Sequence, residues 1–133
     1  MIFDTSIVLQ ILKDRKFFEE IESILTEEIK ITSVSIYELL RGATHIKIAK
    51  NSEKELNILL SMFSELSVFS FGKDDAKIAS YVWAKLKERG TLINDADIMI
   101  ASICIKNKER LLTLDRDFKK IEEVHSELEV EVL

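Results

Sequence analysis

Four acidic residues in this chain stand where their carboxylates could share one ion: Asp4, Glu38, Asp97 and Asp115. Asp4 follows the apolar pair Ile2-Phe3, and Asp115 follows Leu111-Leu112-Thr113-Leu114, so each closes a candidate buried strand. Asp97 opens a run, Ile98 to Ile105, in which only Ser102 is hydrophilic. Glu38 lies on the helix that Ile36, Leu39 and Leu40 mark after the second candidate strand. Carboxylates ~4 Å apart repel by about 4 kcal/mol at an effective dielectric of ~20, so their convergence calls for a cation. Ligation by oxygen alone points to Mg²⁺ or Mn²⁺, and such a site supports phosphoryl transfer. His45 and His125, 80 positions apart and without a neighbouring cysteine, read as surface or turn residues rather than metal ligands.

Taken singly, each acid also has a purely structural reading. Asp4 can cap the helix that Ile7, Val8, Ile11 and Leu12 suggest, and Asn94 or Asp95 can cap the apolar helix. Ser35-Ile36-Tyr37-Glu38 fits the Ser-x-x-Glu capping box. Asp97 resists this treatment, because it lies inside the first turn beside residues that must be buried and needs donors or a cation there.

The elements that must carry these residues follow from periodicity. Ile2-Phe3 begins a first strand, and helical spacing of apolar residues runs from Lys16 to Glu28. A second strand over Ile29 to Ser33 leads into the helix bearing Glu38, and Leu56 to Leu66 form another helix. Ser67 to Phe71 alternates as a third strand. Asp74-Asp75 opens a helix with Ile78, Ala79, Val82, Trp83 and Leu86 turned inward, stopped by Gly90. Leu111 to Leu114 reads as a buried strand, Arg116-Asp117-Phe118 starts a helical turn with Ile121, and Leu128, Val130 and Val132 form an edge strand. Strands alternating with helices predict one α/β domain over residues 1–133, a three-layer α/β/α sandwich around a mainly parallel sheet. Functional groups in such sheets gather beyond the carboxyl ends of strands at the switch in strand order.

Composition narrows the setting. Apolar residues make up 47% of the 133, enough for a real core, and three glycines with no proline imply dense regular structure. A formal charge of −5 disfavours a broad basic nucleic-acid face, although a metal-loaded acidic cluster reverses the local sign. The single Cys104 reads as a core residue in a reducing compartment. No apolar run approaches the ~18 residues of a membrane span. Asp4, Lys13, Asp14, Arg15 and Lys16 within the first 20 residues are unlike a signal peptide, so a soluble, cytoplasmic protein is expected.

Four fragments in order carry a family resemblance: Phe3-Asp4-Thr5-Ser6, Ser33 to Gly42 (SVSIYELLRG), Asp95 to Ala101 (DADIMIA) and Leu112 to Phe118 (LTLDRDF). The chain resembles the PIN-domain ribonucleases, and among them the VapC toxins of prokaryotic toxin–antitoxin pairs. The resemblance implies that Asp4, Glu38, Asp97 and Asp115 form the acidic metal site, with Asp4 and Asp97 the most direct ligands and Asp95 an accessory acid. It places Thr5, Ser6 and Thr113 behind these ligands, orienting water or carboxylates, a role their alternative as caps or strand-end hydrogen bonders leaves open. It further implies RNA cleaved by metal-activated water, a homodimer, and inhibition by a small VapB-like antitoxin whose basic tail enters the acidic groove. Asp117 reads as structural, and Arg41 and Arg116 as solvated charges or contacts for phosphate or an antitoxin carboxylate. Lys106, Lys108, Arg110, Lys119 and Lys120 would supply a patch for the RNA backbone.

Three rivals are weaker. A haloacid-dehalogenase-like phosphatase wants an aspartate two positions after Asp4, where this chain has Ser6. A receiver-like module wants an acceptor aspartate after the middle strand, where Phe71-Gly72-Lys73 stands. A PIN-like scaffold that binds a partner without turnover remains as the alternative.

Overall fold

Neighbouring residues of a strand point to opposite sides of its sheet, so short all-apolar strands build two cores at once. In the computed structural model, which describes residues 1–133, β1 (Ile2–Phe3), β2 (Lys30–Thr32), β3 (Ser67–Phe69), β4 (Leu111–Thr113) and β5 (Val130–Val132) form one sheet. Its order is β3-β2-β1-β4-β5, and every pairing is parallel. Ile2 and Leu111 face one core, whereas Phe3, Ile31 and Leu112 face the other. The helices α1 (Thr5–Lys13), α2 (Arg15–Ile24), α3 (Ser33–Lys50) and α4 (Lys54–Glu65) cover the second face. The first is covered mainly by α5 (Lys73–Glu88), α6 (Asp95–Asn107) and α7 (Asp117–Val124). This is the three-layer α/β/α arrangement that the alternation of elements predicts. No helix is long and apolar enough to cross a membrane.

The order of the sheet fixes where chemistry can occur. The chain leaves β1, adds β2 and β3 on one side, then returns to place β4 on the other side of β1. The crevice at this switch lies between the carboxyl ends of β1 and β4, where Ile2 pairs with Leu111 and Phe3 with Leu112. From Ile100 to Ile105 every residue of α6 is buried, and the one hydroxyl among them, Ser102, donates to the Ile98 carbonyl.

Several boundaries differ from the sequence reading for identifiable reasons. The second helix spans Arg15–Ile24 rather than Lys16 to Glu28, because the Asp14 carboxylate accepts from the Lys16 and Phe17 amides and Leu25 turns extended. The third helix runs on past Gly42 to Lys50 and ends at Asn51 with φ 52°. The strands β2, β3 and β4 are each three residues, shorter than periodicity suggested. Trp83 does not turn inward: it is 47% exposed, with the Lys87 ammonium 4.9 Å from its ring centroid.

A pair of aromatic truncations separates core from surface. Phe118→Ala, at a fully buried position, is expected to lower unfolding free energy by about 3–5 kcal/mol in urea titrations. Trp83→Ala is expected to change it by less than about 1 kcal/mol.

Candidate functional site

Backbone placement comes first. Asp4 is the residue after β1 and Asp115 the second after β4, while Asp97 sits in the first turn of α6 and Glu38 in the second turn of α3. None of these carboxylates is used to cap its own helix. Asp4 occupies the N-cap position of α1 but its side chain accepts no cap hydrogen bond. The N-cap of α3 is Thr32, whose hydroxyl accepts from the Ser35 amide, so the Ser35–Glu38 capping box does not form. Asn94, not Asp95, caps α6 by accepting from the Asp97 amide at 2.9 Å.

Neutral donors hold the acids instead. Ser6 Oγ and Thr113 Oγ1 each donate to Asp4 Oδ2 at 2.7 Å, leaving Oδ1 without a partner in the chain. The Ser6 hydroxyl also accepts from the Leu114 amide, and Thr113 Oγ1 from the Asp115 amide. Thr5 Oγ1 donates to Glu38 Oε1 at 2.9 Å, and Asn94 Nδ2 donates to Asp97 Oδ2 at 2.9 Å. Asp115 Oδ1 accepts from the Asp117 amide at 2.8 Å, which assigns Asp117 the structural position expected of it. The pattern repeats: one oxygen of Asp4, Asp97 and Asp115 is tethered and the other is free. Such partners fix a carboxylate's orientation without neutralising it.

Asp4, Asp115 and Glu38 lie near enough for their charges to act on Asp97. Asp4 is 3% and Asp97 7% exposed. Burial pushes the Asp97 carboxyl up to about 7, and the charges of Asp4, Asp115 and Glu38 push in the same direction against the Asn94 hydrogen bond. The only cation close to any of the four is Arg41, whose Nη2 lies 3.8 Å from Glu38 Oε2 at an exposed position. Asp95 is exposed and lines a separate hollow with Phe71, Trp83 and Met99, outside the group acting on Asp97.

The donor set suits a hard divalent cation: oxygen ligands, partly free, with uncompensated negative charge. No three Asp, Glu, His or Cys side chains form a ready-made coordination cage, so the fit rests on donor chemistry and charge. An apolar groove of about 530 Å³ between α1, α3 and α4 opens at Thr5 and Glu38, with Leu9, Leu12, Ile46 and Ile58 in its walls.

Two further placements differ from the sequence reading. Of the five basic residues read as a patch, four have an acid beside them: Lys106 pairs with Asp75, Arg110 with Glu131, Lys119 with Glu122 and Lys120 with Asp117. Asn94 is more than a cap, since its amide group also clamps Asp97; an Asn three residues before an Asp at a helix start was the available signal.

Comparison with known proteins agrees with the fold. The chain is similar to Ribonuclease VapC3 of Methanocaldococcus jannaschii, 29% identical over 102 residues that make up 77% of this chain and 95% of that protein. It superposes on a chain in the crystal structure of VapBC2 from Rickettsia felis bound to a promoter DNA fragment. That match has a TM-score of 0.79 and 24% identity, and covers 100% of this chain and 99% of that one. DNA-bound VapBC from Salmonella typhimurium matches with a TM-score of 0.83 and 22% identity over 98% and 96% of the two chains. The family model described as PIN domain matches residues 1–124, a span that takes in all four acids, and the chain therefore belongs to the PIN domain family.

Proposed function

We propose that this chain is a metal-dependent endoribonuclease and the toxin half of a VapBC-type pair. The observation that carries the proposal is the Asp97 carboxyl, held up to about 7 by burial and by Asp4, Asp115 and Glu38 at the switch point of a PIN fold. The ribonuclease name of its archaeal relative and the toxin–antitoxin complexes among its structural neighbours support the same reading.

When bound, Mg²⁺ or Mn²⁺ supplies Lewis acidity toward a phosphate and a water of lowered pKa. The residues of this chain do the rest. Asp4 and Asp97 present their free oxygens as ligands, and Glu38 and Asp115 complete the acidic rim. Ser6 and Thr113 keep Asp4 from rotating, Asn94 does the same for Asp97, and Thr5 for Glu38. Asp95 stands outside this set as an accessory charge near the entrance of α6. A small antitoxin with a basic tail would neutralise the rim in place of metal, and the apolar groove opening at Glu38 offers such a tail a path. The working unit we infer is a cytoplasmic homodimer.

Cleavage of RNA by the purified protein is expected to vanish in EDTA and to return with Mn²⁺ or Mg²⁺. Asp4→Asn is expected to abolish it with the far-ultraviolet circular dichroism unchanged. Undiminished cleavage in EDTA sinks the metal mechanism, and none with metal added and antitoxin removed favours a PIN-like binding scaffold. Thr113→Val, which removes a donor to Asp4, is expected to weaken metal affinity by about 10–100-fold in calorimetric titration.

The Asp97 shift also sets a pH dependence. An unfolded chain loses this proton near the ordinary 3.8, whereas the folded chain keeps it to about 7. Stability of the metal-free protein therefore falls as pH rises through that interval and levels off above it. In EDTA, Asp97→Asn is expected to melt higher than wild type at pH ~8, the gap closing by pH ~4. Loading metal expels the same proton, so metal-dependent cleavage should decline as pH drops below about 7.

A further inference from the structure

One turn of α3 carries an aromatic ring and a guanidinium beside the acidic rim, and the function proposed above leaves both without a task. Tyr37 precedes Glu38 and is 62% exposed. The Arg41 guanidinium carbon lies 5.3 Å from the Tyr37 ring centroid, and its Nη2 lies 3.8 Å from Glu38 Oε2. These two side chains overlook a hollow of about 630 Å³ whose polar edge is Ser33, Thr44 and His45. Tyr37 also borders a second hollow with Ala96 and Met99, next to Asp97 at the start of α6. The ring therefore stands between the metal-binding rim and an open trough along α3.

We propose that Tyr37 and Arg41 form a subsite for single-stranded RNA, the ring stacking on a nucleobase adjacent to the cleaved phosphodiester and the guanidinium contacting a neighbouring phosphate. The inference rests on the ribonuclease reading and deepens it. An exposed aromatic face takes an unpaired base of any kind, whereas bases in a duplex offer no free face. A guanidinium stacked on that ring is held ready for phosphate, and it brings positive charge to a rim that otherwise repels a polyanion. A single-stranded nucleic acid meets both groups at once, a base on the ring and a phosphate on the one guanidinium beside the rim. The hydroxyls of Ser33 and Thr44 and the imidazole of His45 add hydrogen-bonding groups along the trough.

The test uses Asp4→Asn protein, which leaves RNA intact, and a short fluorescein-labelled single-stranded RNA of mixed sequence read by anisotropy. Adding Tyr37→Ala should weaken binding on the order of tenfold, and Tyr37→Trp should restore it. Adding Arg41→Gln should lower the slope of log affinity against log salt by about 0.7. Equal binding by Tyr37→Ala, failure of Tyr37→Trp to rescue, or no measurable RNA binding by the parent overturns the subsite. So does sedimentation showing that Tyr37→Ala splits a dimer, which would make this face an interface between copies. Wild-type cleavage with Mn²⁺ is a separate arm. Its loss removes the nuclease reading whatever Tyr37 does, while intact cleavage with unaltered Tyr37→Ala binding removes the subsite alone.

Discussion

Mutual repulsion among four carboxylates is the constraint around which the rim of this protein is built. Burial first, and then the charges of Asp4, Asp115 and Glu38, hold Asp97 protonated toward neutrality. A fold that merely tolerated them would pair each with a lysine or arginine, yet of the four only Glu38 has a cation near it, Arg41 at 3.8 Å. Here hydroxyls, a carboxamide and backbone amides do the holding. Those groups set direction without neutralising the charge.

The amino ends of the strands show the opposite solution. There the Met1 ammonium lies 2.9 Å from Glu109 Oε2, the same carboxylate binds Lys30, and Arg110 bridges Glu27 and Glu131. Charges at that end are paired within the chain. A parallel sheet makes the division possible, because all its carboxyl ends lie on one side and all its amino ends on the other.

Much of this was legible in residue order. Acids placed directly after apolar strands, and an apolar helix opened by Asp97, are patterns with few stable solutions: Asp4 stands directly after β1, Asp115 two residues after β4, and Asp97 in the first turn of α6. What escaped was decided by packing between distant segments. Trp83 lies on the apolar stripe of α5 by periodicity, yet its ring rests at the surface beneath Lys87. Ser35 and Glu38 satisfy a capping rule that Thr32 satisfies first, one turn earlier, because β2 ends there. The basic residues near the carboxyl half looked like a patch only along the chain; in space each of four meets its own acid. Asp75 shows the same limit, since no sequence signal marks it as the fully buried acid that the Gly72 amide and Lys106 hold, with one oxygen left unpartnered.

The first strand is two residues long, and Asp4 follows it without a spacer. Ile2 belongs to one core and Phe3 to the other, so chain length between Met1 and Asp4 is fixed from both sides of the sheet. Inserting one residue there would swap the two apolar side chains between cores and swing Asp4 away from Thr113 together. Deleting one would do the same, so the spacing of this strand is as much a part of the rim as the carboxylate that ends it.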